Sequence, residues 1–175
     1  MKKITSFVVA FIIFAASLSA QNISTVIKTE ALKMARALAA LDLDTYASYT
    51  YPTLLQEKGS KERIKQGVDS VEKFRKDFGL KVKSILIGNP SPVITYNGIM
   101  QCTLPQTINI ETMMGSMQAE STLIGLSKNG KTWYFVDAMV YKQKDAKSKL
   151  PELSPKLVIP PTKQPIITPT QTPNN

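Results

Sequence analysis

The apolar period of this chain changes once, at Gly79, and that change limits what the chain can fold into. Before Gly79 apolar residues recur at three- and four-residue spacing, and after it they alternate. From Ser24 to Leu43, the positions Ile27, Ala31, Met34, Ala35, Leu38 and Leu41 predict the buried stripe of an amphipathic helix, with Lys28, Lys33 and Arg36 off it. Asp42 and Asp44 offer a stop and a new N-cap, so Thr45 to Tyr49 reads as a short helical piece ended by Pro52. Ser60 can cap a third helix whose stripe is Ile64, Val68, Val71, Phe74 and Phe78. Gly79 supplies the left-handed residue that closes it.

Beyond Gly79 the β-branched and aromatic content rises. Leu80 to Ile87 is the first predicted strand. Val93 to Glu111 holds one long strand or two shorter ones, interrupted near Gly98 and Pro105. Met117 to Ser127 and Thr132 to Tyr141 follow, joined through Asn129-Gly130, a strong hairpin signal. Helices first and an antiparallel sheet second is the α+β pattern, with the helical stripes packed on one sheet face.

Two segments flank this body. Lys2 and Lys3 precede an apolar run from Phe7 to Ala16 and then small residues to Ala20, which predicts a signal peptide over residues 1–20, cut after Ala20 or Ser19. The run is too short for a bilayer-spanning helix and nothing later approaches that length, so no integral membrane span is expected. The expectation is Sec-type export to a bacterial periplasm or medium. After the α+β domain at residues 21–141, residues 142–175 turn lysine-rich and then Pro/Thr-rich, which predicts a disordered, polyproline-like tail suited to a spacer or tether.

Charge and residue types exclude several functions. The formal charge of +9 falls to +7 without Lys2 and Lys3. The tail holds six lysines against Asp145 and Glu152, which leaves the folded part about +3. So mild and dispersed an excess does not make a phosphate-tracking surface, and no nucleic-acid partner is expected. The chain has no histidine, which removes imidazole acid/base catalysis, histidine triads and the usual zinc sites. Its one cysteine, Cys102, has no partner for a disulfide and reads as a small buried hydrophobe rather than a nucleophile.

The run from Gly125 to Thr132 matches the P-loop pattern letter for letter, yet Lys131-Thr132 leads into the alternating Trp133-Tyr134-Phe135-Val136 and not into a helix. The glycines are better explained by a hairpin, and no nucleotide or other cofactor is expected. Met113, Met114 and Met117 around Gly115-Ser116 are soft thioethers that suit cuprous copper, weighed against methionines that merely fill the end of a core. No other metal site is expected. Among carboxylates, Glu111, Glu120 and Asp137 lie on predicted strands, and one enclosed in an apolar cavity would have a raised pKa and act as a base. Alternation places Asp137 with Trp133 and Phe135 on one face, while a strand-end aspartate bonded to a neighbouring turn is the plainer reading.

The helix-then-sheet order, Asp42-Leu43-Asp44-Thr45-Tyr46-Ala47-Ser48-Tyr49 after the first helix, and the closing run Gly130-Lys131-Thr132-Trp133-Tyr134-Phe135-Val136-Asp137 resemble the nuclear transport factor 2-like, or cystatin-like α+β, superfamily. That resemblance implies a cone, or cystatin-like roll, in which a curved sheet wraps a helix and leaves a cavity used for catalysis, binding or dimerisation. A homodimer is compatible with it. No catalytic residue carries over. The resulting expectation is an exported, non-catalytic binding or accessory domain whose cavity, lined by Tyr46, Tyr49, Trp133, Phe135 and Asp137, takes an apolar ligand or a partner segment. The alternatives are a cavity enzyme, isomerase- or dehydratase-like, with Asp137 or Glu120 as general base, and a structural envelope protein.

Overall fold

A computed structural model describes residues 22–56, 59–141, 150 and 152–169; the leader at residues 1–20 and the tail at 142–149 and 170–175 lie outside them. Helix α1 occupies residues 22–40 and buries Ile27, Ala31, Met34 and Ala35, the stripe its spacing predicts. Asp42 caps α2 (Leu43–Tyr49), its side chain accepting from the Thr45 N–H at 3.1 Å. Pro52 does not close a helix but opens one, at the first turn of α3 (Pro52–Leu55), where its missing N–H has no cost. Gly59, not Ser60, is the N-cap of α4 (Ser60–Phe78); Ser60 lies inside the helix and its hydroxyl donates to the Leu55 carbonyl at 2.6 Å. Gly79 ends α4 at φ 61°, left-handed as expected.

The strands are β1 (Lys81–Ile87), β2 (Ile94–Tyr96), β3 (Ile99–Thr112), β4 (Gly115–Ser127) and β5 (Tyr134–Asp137). A helical turn, α5 (Ala138–Tyr141), follows, and then β6 (Ile166–Pro169). They form one six-stranded antiparallel sheet, open rather than closed into a barrel. The path is β1-β3-β4-β5, with β2 also on β3 and β6 also on β4. The tight two-residue turn belongs to Asn97-Gly98, with φ of 49° and 76°, between Tyr96 and Ile99. Asn129-Gly130 instead sits in a longer loop. There the Asn129 side chain accepts from the Lys131 and Thr132 N–H groups at 2.9 and 2.8 Å, and Thr132 leads through Trp133 into β5, with no helix following. Pro105 is tolerated within β3 because the neighbouring edge is broken there: β1 ends at Ile87, β2 starts at Ile94, and only the Gly88 N–H reaches the Pro105 carbonyl.

Both sheet faces are covered. On one face, Cys102, Leu104, Leu123, Trp133 and Phe135 pack against Ile27, Ala31 and Met34 of α1. On the other, Ile99, Ile124, Leu126 and Val136 pack against Tyr51 and against the C-terminal segment through Leu150, Leu153, Leu157 and Ile159. The expected disordered tail is therefore corrected over residues 152–169, which form a strap across the sheet. The Gln101 side chain, fully buried, clasps the strap's main chain, donating to the Glu152 carbonyl at 2.7 Å and accepting from the Ser154 N–H at 2.9 Å. Thr103 Oγ1 donates to the Val158 carbonyl at 3.3 Å, Lys163 pairs with Glu120 at 2.7 Å, and β6 adds to β4 opposite Gly115–Gln118. The physical reason is a face with no other cover: the helical stripes serve one side, and a strap of spaced leucines between prolines shields the second without needing a ladder of its own.

A cationic cleft as candidate functional site

The aromatic residues expected to line a cavity fill the core instead. Trp133 and Phe135 are each 1% exposed, and the partly buried Tyr46 and Tyr49 pack against the same cluster, so these four share a neighbourhood. Alternation along β5 holds, with Trp133 and Phe135 on the α1 side and Tyr134, Val136 and Ala138 on the strap side. Burial pushes the Tyr46 phenol up, with the charge of Asp137 adding to the rise. Asp137 itself does the plainer work: its Oδ1 accepts from the Met139 N–H at 2.7 Å and caps α5.

The remaining candidate groups are explained by their surroundings. Glu111 pairs with Lys83 at 2.9 Å and Glu120 with Lys163 at 2.7 Å, and these lysines hold both carboxyls below their ordinary value, the opposite of what a general base requires. Burial pushes the Cys102 thiol up to about 12, which keeps it protonated. Met113 and Met114 form the exposed turn between β3 and β4. Met113 is turned back over Gly79, where its Cγ lies 3.0 Å from the place a Cβ would take, and Met117 pairs in the ladder with Ile110 and Ile167. Among the described residues no group of three Cys, Asp or Glu side chains is placed to hold a metal ion.

An open cleft of about 630 Å³ lies elsewhere, between the end of α1, the last turns of α4 and the start of β1. That volume is within the range of small-molecule sites, roughly 300 to 1,000 Å³. Ala39, Ala40 and Leu41 form one wall, Val71 a second, and Leu80, Val82 and Ile85 a third. Its charged lining is wholly cationic: Arg36 from α1, Arg75 from α4, and Lys81 and Lys83 from β1. The cleft exists because the α4 stripe does not close onto the sheet. Val68 is buried, whereas Val71 and Phe74, one and two turns on, are 37% and 46% exposed.

Leu41 in the cleft wall has φ 62°, a left-handed conformation that a side chain with a Cβ adopts at a cost of roughly 1–2 kcal/mol. It closes α1 through bonds from the Leu41 N–H to Leu38 and from the Asp42 N–H to Ala37. Strained residues of this kind collect at ligand sites more often than elsewhere. Sequence reasoning placed Arg36, Val71 and Leu41 on their helices. Missing from it was the gap between helix and sheet, for which the one signal is Arg75, whose seven-residue spacing from Val68 puts a charge on the apolar stripe of α4.

Comparison with protein-family models, curated proteins and solved structures returns no match.

Proposed function

We propose that the protein is an exported binding domain, without catalysis of its own, whose ligand lodges in the cleft between α1, α4 and β1. One observation carries the reading: this is an open space of about 630 Å³ walled in part by Leu41, Val71, Leu80, Val82 and Ile85, on a molecule whose Trp133 and Phe135 are buried in the core. The carboxylates at Glu111 and Glu120, lowered and paired at the surface, and the protonated Cys102 give a hydrolytic or isomerising site little to work with. Export rests on Lys2, Lys3 and the apolar run from Phe7 to Ala16. Kinship with the nuclear transport factor 2-like superfamily belongs to the same proposal, supported by helices that precede an antiparallel sheet.

The test is titration with the neutral, apolar fluorophore N-phenyl-1-naphthylamine, comparing the mature protein with Ala40→Trp, which places an indole in the cleft. A saturable signal in the unaltered protein, weakened at least about tenfold in the variant at equal thermal stability, is the expected result. Equal binding by both proteins would remove the cleft from the account.

A further inference from the structure

We propose that the ligand is a single-chain amphiphile with an anionic head group, a carboxylate or a phosphate on an apolar chain. The proposal rests on the cleft being the binding site and adds the chemistry of what enters it. The lining carries two features that such a molecule would satisfy together. Val71, Leu80, Val82 and Ile85 offer apolar wall, and Arg36, Arg75, Lys81 and Lys83 stand around it.

The argument for an anion is one of charge accounting at the rim. The ends of α1 and α4 face the cleft, and each helix C-terminus carries a partial negative charge of roughly half a unit, so about one positive charge is needed merely to balance the two dipoles. Four are present. Two carboxylates near this region are already paired: Glu111, beside Lys81 and Lys83, pairs with Lys83 at 2.9 Å, and Glu72, one turn before Arg75 and held down in part by its charge, pairs with Lys76 at 2.8 Å. Among the described residues Arg36 and Arg75 have no carboxylate within ion-pair distance. Setting Lys83 aside with Glu111 and one further charge against the helix ends leaves a surplus of about two.

A concave surface lined by one sign of charge focuses the field inside it, and two guanidinium groups are suited to clamp the oxygens of a carboxylate or phosphate. A bare inorganic anion would leave the apolar walls wet, and an uncharged chain would leave both guanidinium groups without a carboxylate among the described residues. A head that is anionic on a chain that is apolar meets both halves of the lining.

The experiment displaces N-phenyl-1-naphthylamine from the mature protein with dodecanoate, dodecyl phosphate, dodecyl maltoside and inorganic phosphate, all below micellar concentration. It is repeated at raised salt and with the double variant Arg36→Gln/Arg75→Gln. If the fluorophore does not bind the unaltered protein at all, the binding site itself fails, separately from the ligand chemistry. Given that it binds, either anionic amphiphile should displace it at a concentration about tenfold below that needed for the maltoside. The ratio should fall toward one in the double variant and as salt is raised, since two partly exposed ion pairs contribute on that order and are screened. Displacement by the maltoside as readily as by the anions, or by inorganic phosphate as readily as by dodecyl phosphate, would overturn the proposal.

Discussion

Two buried side chains carry contrasting weights at the residue scale. Phe135 is packed among α1 and β3 side chains with 1% exposure, so Phe135→Ala should cost about 3–5 kcal/mol in chemical denaturation, the range for emptying a filled core site. A much smaller cost would mean that the aromatic region is loosely packed after all. Cys102, fully buried with its thiol pushed up to about 12, should resist iodoacetamide in the native protein at about pH 8 and react once denatured. Rapid native labelling would contradict that. Legibility at this scale was good wherever alternation alone decides. That Trp133 and Phe135 share a face is readable from the period of two, whereas the turn bond of Asp137 follows from its place at the strand end and the burial of Cys102 from the lack of a histidine partner. Alternation cannot say whether a shared face encloses space or is filled, because that depends on how far away α1 sits.

The strap is the element that the sequence hid. Prolines at 151, 155, 160, 161, 165 and 169 signal a segment unable to build its own ladder, and composition alone makes such a segment look unstructured. What decides otherwise is the uncovered face made by Ile99, Ile124, Leu126 and Val136, visible only once strand register is known. Gln101→Ala removes both bonds to the strap's main chain and leaves the Ser154 N–H without that acceptor, so a loss of about 1–3 kcal/mol is expected in urea unfolding. No measurable loss would mean that the strap does not contribute to the fold. Its far end should respond to acid. Glu120 has its carboxyl held down by Lys163, and a group with a depressed folded pKa adds stability above its unfolded value that is lost as pH falls through the folded one. Hydrogen-exchange protection of Ile166 to Thr168 should therefore drop below about pH 4 and on adding salt. Protection indifferent to both would leave the Lys163 pair without a role in seating β6.

For the whole molecule, the helix-then-sheet order and the α1 core follow from periodicity, while the binding surface comes from a mismatch between elements. Helix α4 has a stripe long enough to cover the sheet, yet Val71 and Phe74 stay half-exposed and a cleft opens beside β1. No periodicity reports a mismatch of that kind. The cleft can be mapped amide by amide, by recording nitrogen–proton correlation spectra of residues 21–175 as dodecanoate is added. Saturable shifts confined to Ala39–Leu41, Val71–Arg75 and Val82–Ile85 are predicted. Shifts centred on Tyr46, Trp133 and Phe135, or none that saturate, would contradict a ligand site between α1, α4 and β1.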